Sequence, residues 1–197
     1  MLCHGESAGM IDTDKLKRAE EFVKENIIDG YTLAHSQAVR KVAKKIMEKE
    51  GGDSDVIEMA CLFHDIERGK SGPLEHAEAG AKTTRKAMEE IGFDKDFTDK
   101  VVHCVESHSQ PWSKNGPEPS TIEAKIVYDA DMVQQVSPFG LIKHIHEFAD
   151  MEFKEMLEKL SDTMVNKIPQ GVFTETAKKM IKERMPYVKD FLARAEE

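Results

Sequence analysis

A helix that is apolar on every side has one place to go in a folded domain, the middle of a bundle, and this chain contains such a helix. The run Met59-Ala60-Cys61-Leu62-Phe63 offers no polar face at a period of 3.6 residues, and it stops on two polar residues, His64 and Asp65. Asp53 and Ser54 supply side-chain caps for its start, and Gly51-Gly52 ends the helix before it. An ionised aspartate at the buried end of a core helix is costly unless it is paired or bound to a cation. A metal ion would satisfy His64 and Asp65 together; a His–Asp hydrogen bond or a helix cap is the alternative.

The rest of the chain reads at the same helical period, and strand-like alternation is absent. The fold class is therefore all-α, a single-domain helical bundle over residues 1–197. Helices are expected over residues 14–27, 33–50, 55–66, 75–90 and 96–108. A sixth follows a capping box of Ser120 and Glu123, and two more cover 139–160 and 174–195. Residues 161–171 read as a flexible connection, and 110–120, with three prolines, as the longest loop.

With 197 residues, 40% of them hydrophobic, the chain can bury a sizeable core. No apolar run approaches the ~20 residues needed to cross a bilayer. Residues 1–10 lack the pattern of a secretory leader. Cys3, Cys61 and Cys104 are too widely spaced for a disulfide framework or zinc knuckle and fit a reducing compartment, so a cytoplasmic location is expected. A net charge of −9 argues against a nonspecific nucleic-acid or membrane binder. An anionic substrate would have to be drawn in by local cations against that field.

Two further places hold candidate ligands. His35 shares one helical side with Ala38, Val39, Val42 and Ile46, which points it inward; alone, it reads more simply as a core histidine bonded to backbone. Asp129 and Asp131 lie among apolar residues, but two positions along a helix rotate a side chain by about 200°. One of them is a ligand candidate and the other points elsewhere.

The order His35, His64-Asp65, then a later helical aspartate resembles the signature of the HD superfamily of metal-dependent phosphohydrolases. The segment 63–68, Phe-His-Asp-Ile-Glu-Arg, resembles the apolar-His-Asp form of that signature with its trailing cation. The stretch Leu74 to Ala81, with His76 and Gly80, and the pair Ser107-His108 resemble histidine-bearing helix ends in many members. Register with the family's apolar-x-Ala-Asp segment selects Asp131 over Asp129. The resemblance implies an HD core over 34–136 with helices 138–197 packed against it.

The implied metal ligands are His35, His64, Asp65 and Asp131, with His76 and His108 able to hold a second ion. One or two divalent ions per chain are implied. Mixed nitrogen and oxygen ligands suit Mn²⁺, Fe²⁺, Co²⁺, Ni²⁺ or Zn²⁺, with Mg²⁺ open. Asp65 would also orient the attacking water, Arg68 would clamp phosphate, and His108 would contact the leaving group or act as a general acid. Lys70, Lys125 and Lys143 could line an anion pocket, although a solvated face is the simpler reading for each. His144 and His146, two apart, cannot chelate from one helix face.

The implied substrate is a small phosphate ester or anhydride, a nucleotide or dinucleotide foremost. The alternatives are a di-iron oxygenase on the same scaffold and a non-catalytic metal- or nucleotide-binding module. Apolar positions on the last two helices leave a homodimer open, and no stable nucleic-acid partner is expected.

Overall fold

The computed structural model describes residues 11–72, 75–109 and 116–195. Cys3, His4, Leu74 and the first part of the proline-rich loop lie outside them. The described residues form an all-α fold: α1 (Thr13–Asn26), α2 (Gly30–Glu50), α3 (Ser54–Phe63), α4 (His76–Ile91), α5 (Lys95–Ser107), α6 (Ile122–Gln135), α7 (Pro138–Glu147), α8 (Phe153–Ser161), a π-helical turn (Asp162–Lys167), α9 (Ile168–Gly171) and α10 (Glu175–Ala195). Their one strand-like feature is an isolated bridge between Arg68 and Ser71. None of the helices is long and apolar enough to cross a membrane.

Short polar side chains fix most helix starts. Asp12, Asp29, Asp53, Asp94, Thr121 and Ser137 each accept a hydrogen bond from a backbone N–H in the first turn of α1, α2, α3, α5, α6 and α7. Gly51 and Gly92, at φ 82° and 93°, end α2 and α4 in a conformation that costs a side-chain-bearing residue strain. The Ser120/Glu123 capping box does not form: Thr121 caps α6, and Glu123 instead accepts the Asp53 N–H at 3.0 Å, tying the starts of α3 and α6 together.

Helix α3 is central, packing against α2, α5 and α6. Val56, Met59, Ala60, Cys61 and Phe63 are all fully buried in it. The C-terminal helices cover the bundle, with α10 lying against α2, α6 and α8. The start of α10 is held by Asp129, which accepts from the Phe173 N–H at 2.9 Å and from the Thr174 N–H and hydroxyl at 2.7 and 2.6 Å. Glu50 accepts similarly from Thr176.

Two expectations for the C-terminal half fail. The single helix over 139–160 is two, α7 and α8, separated by a turn in which the Met151 N–H bonds to the Phe148 carbonyl at 3.0 Å. The connection over 161–171 is helical, because Leu160, Met164 and Ile168 recur every four residues and are fully buried.

Candidate metal centre

Five helices deliver six polar side chains to one point in the core. His35 comes from the second turn of α2, His64 from the end of α3, Asp65 from the turn that follows, His76 from the start of α4, His108 from the end of α5 and Asp131 from α6. All six are buried, with Asp131 the most exposed at 6%. Asp65 lies between two sets of ligand atoms. Its Oδ2 is 3.6 Å from both His35 Nε2 and His64 Nε2, while Oδ1 is 3.6 Å from His76 Nε2 and 3.5 Å from His108 Nε2. His35, His64 and Asp131 form one group whose ligand atoms lie within 4.8 Å of each other, and Asp65, His76 and His108 form another.

The ring orientations follow from local backbone. His64 and His108 each donate from Nδ1 to the carbonyl three residues earlier, Cys61 at 2.9 Å and Val105 at 2.6 Å. That tautomer leaves Nε2 as a lone pair facing the cluster, the arrangement a metal-binding histidine needs.

The donors fit a metal on an independent ground. His35 Nε2, His64 Nε2, Asp65 Oδ1 and Asp131 Oδ1 are buried without a hydrogen-bond partner. His35 Nε2 and Asp131 Oδ1 approach to 3.0 Å, but their geometry falls outside that of a hydrogen bond. Buried polar atoms without partners cost several kcal/mol together, on the order of 1–3 each, and a shared cation removes that cost.

Charge and burial oppose each other throughout the cluster. Burial favours the neutral form of Asp65, but His64, Arg68 and His108 outweigh it and hold the carboxyl well below its ordinary range. Asp131 is lowered likewise, burial being overcome by His35 and Lys143. Burial dominates at His64 and pushes its imidazole down to about 4, so this ring is neutral and able to ligate at physiological pH.

The cluster opens onto a cavity of about 500 Å³, lined by His35 and Asp65 at its floor and by Tyr31, Arg68, Lys143 and Glu147 above. Arg68 lies here, but its guanidinium donates to Glu147 at 2.6 Å, with Asp65 3.9 Å away. Lys143 is buried at 4% exposure rather than solvated. Tyr31 and Glu147 were not singled out by sequence. Glu147 sits one turn after Lys143 on α7, a spacing that would have placed both on one face had Lys143 been read as inward. Lys70 pairs with Glu67, and Lys125 lies over the Phe173 ring. Asp129 is turned away from the cluster into its bonds with Phe173 and Thr174, the opposite side of α6 from Asp131.

An all-α bundle with this buried histidine–aspartate cluster defines a class of potential metal-dependent proteins, and sequence comparison narrows it. The HD domain family matches residues 32–135, which is more than half of the chain, and the chain belongs to that family. It is 26% identical to the uncharacterized protein YpgQ of Bacillus subtilis over 202 residues, covering 92% of this chain and 94% of that one. Among solved structures, the Lin1889 protein of Listeria innocua superposes with a TM-score of 0.72 at 26% identity, covering 94% and 97% of the two chains. A predicted HD superfamily hydrolase from an uncultured Thermotogales bacterium gives 0.65 at 25%, covering 91% and 90%. YpgQ has been solved in complex with ADP; that structure superposes with a TM-score of 0.70 at 21% identity, covering 93% and 96%. The chain thus shares the fold of HD superfamily hydrolases.

Proposed function

We propose that the protein is a metal-dependent phosphohydrolase cleaving a phosphate ester or anhydride of a small molecule, a nucleotide or dinucleotide foremost. The observation that carries this reading is the set of unpartnered buried donor atoms on His35, His64, Asp65 and Asp131, with His35 and Asp65 lining a cavity whose walls hold Arg68 and Lys143. His35, His64, Asp65 and Asp131 would hold one divalent ion, and Asp65, His76 and His108 a second. Such ions supply an acidified water and neutralise charge developing on phosphoryl oxygens.

The chain's own residues define the remaining tasks. Carboxylates outnumber fixed cations in the cavity lining, with Asp29, Asp65 and Glu147 against Arg68 and Lys143. An anionic substrate is therefore repelled until divalent charge is added, which couples substrate entry to metal loading. The Tyr31 hydroxyl is pushed above its ordinary range by burial and by Glu147, so it stays protonated and able to donate. The nucleotide preference draws support from YpgQ, whose solved complex contains ADP.

The test is phosphate release from a panel of nucleotides and phosphate esters in Mn²⁺, Co²⁺ or Ni²⁺, with Asp65→Asn alongside. Release that depends on metal and is lost in the variant is expected. The same second group of ligands would also suit a di-iron oxygenase. Two bound irons and cleavage of a C–C or C–P bond only under oxygen would replace the hydrolytic reading with that one.

A further inference from the structure

Lys143 is buried to 4% exposure on α7 and lines the cavity beside His35 and Asp65. Among the described residues its ammonium forms no hydrogen bond and no ion pair within 4.0 Å. Its nearest influences are at longer range: its charge helps to lower the carboxyls of Asp131 and Glu147. The side chain is buried but its ammonium reaches the cavity, where, without a direct counter-ion, it is open to an entering anion. The other cation of the cavity is differently placed. Arg68 already has a carboxylate, Glu147, at 2.6 Å, and an incoming anion must compete with it.

We propose that Lys143 is the substrate-positioning cation, its ammonium taking a phosphate oxygen of the substrate while Arg68 is held aside by Glu147. The inference rests on the phosphohydrolase reading and names the group that gives that site its grip on phosphate. Lys143 lies on α7, beyond residues 32–135 that match the HD domain family, so this contact is contributed by the C-terminal helices. The cavity mouth continues this division. Ile142, beside Lys143, is 63% exposed, and Tyr31 stacks on Phe139 with ring centroids 4.8 Å apart. A phosphate on Lys143 would leave its organic group against this apolar rim, which suits a flat or apolar substituent better than a sugar alone.

The experiment measures inorganic phosphate binding by calorimetry to Mn²⁺-loaded wild type, Lys143→Met and Lys143→Arg, with manganese content measured on each. Lys143→Met is expected to weaken phosphate about tenfold or more, by the worth of a charge-assisted hydrogen bond, with Lys143→Arg recovering most of it and metal content unchanged. On the wild type, phosphate should also slow acetylation of Lys143 while leaving exposed Lys179 unaffected, read by mass spectrometry; this arm needs no variant to fold. Equal phosphate affinity in Lys143→Met, or unprotected Lys143, overturns the inference and leaves the phosphohydrolase reading standing. A metal-loaded wild type that binds neither phosphate nor nucleotide overturns both.

Discussion

Glu147 accepts a 2.6 Å hydrogen bond from Arg68 across the cavity beside the His–Asp cluster, joining the end of α7 to the turn after α3. The carboxylate stands where a phosphate on Arg68 would stand. Glu147→Gln removes a negative charge from the cavity and loosens Arg68. Partly exposed pairs of this kind are worth about 0.2–1 kcal/mol, so phosphate should bind up to about fivefold tighter. Competitive inhibition by inorganic phosphate measures this; weaker inhibition in the variant would show that Glu147 supports the anion site instead of competing with it.

The same carboxylate gives a pH signature. Burial raises the Glu147 carboxyl, but His144, Lys143 and Arg68 outweigh it and bring it down to about 2 from an ordinary 4.5. A carboxyl lowered on folding contributes stability that is present above its unfolded value and lost as pH falls through the folded one. The difference in thermal midpoint between wild type and Glu147→Gln should therefore be largest above pH 4.5 and shrink toward pH 2. A difference that stays constant from pH 6 to pH 3 contradicts this assignment.

Nuclearity turns on the two oxygens of Asp65, which face separate histidine pairs. Replacing His76 and His108 together by Gln removes two donors from one group and none from the other. Manganese content after reconstitution should fall from two per chain to one. A fall to zero would show that the ions bind as an inseparable pair, and wild type holding a single ion would remove the second site.

Substitutions at Asp129 and Asp131 are expected to separate stability from the proposed metal binding. Asp129→Ala strands two backbone N–H groups and a hydroxyl at the start of α10, at a cost of about 3–5 kcal/mol. Asp131→Ala removes a donor from the cluster. Urea unfolding should register the first substitution and manganese content the second; metal loss in Asp129→Ala at temperatures where it remains folded would reverse the assignment.

Sequence reading reached the core of this site because its signals are local. The all-apolar run of α3 placed His64 and Asp65 at a buried helix end, and the stripe on α2 turned His35 inward. Periodicity alone left Asp129 and Asp131 equivalent, since both are buried on α6. What separates them is the start of α10, more than 40 residues away, whose N–H groups claim Asp129. The break between α7 and α8 was illegible for a related reason. Residues 148–152 contain no Gly or Pro, and Phe148 and Met151 bend the chain by packing on the core. Lys143 was legible only as one of three lysines able to line an anion pocket, and Glu147 not at all, because charged side chains on an amphipathic helix read as solvated until the helix facing them is known.

The position of α7, which carries Lys143 and Glu147, depends on the absence of one side chain. Ser137 caps α7 by accepting the Gly140 N–H at 3.1 Å, and this tight turn lays Gly140 directly on the last residue of α6. A Cβ at Gly140 would collide with the Gln135 carbonyl, its carbon and its Cα, and backbone atoms cannot escape by changing rotamer. Gly140→Ala must therefore push α7 off the end of α6, which also holds Asp131 one turn earlier. A loss of about 2–4 kcal/mol in urea unfolding is expected, with weaker phosphate binding as Lys143 shifts from Asp131. Gly30→Ala is the control, because a Cβ there meets nothing within 4 Å and the helix start should tolerate it. Equal unfolding midpoints for the two variants would mean that the α6–α7 turn yields without moving the cavity wall, and phosphate affinity unchanged from wild type would confirm it.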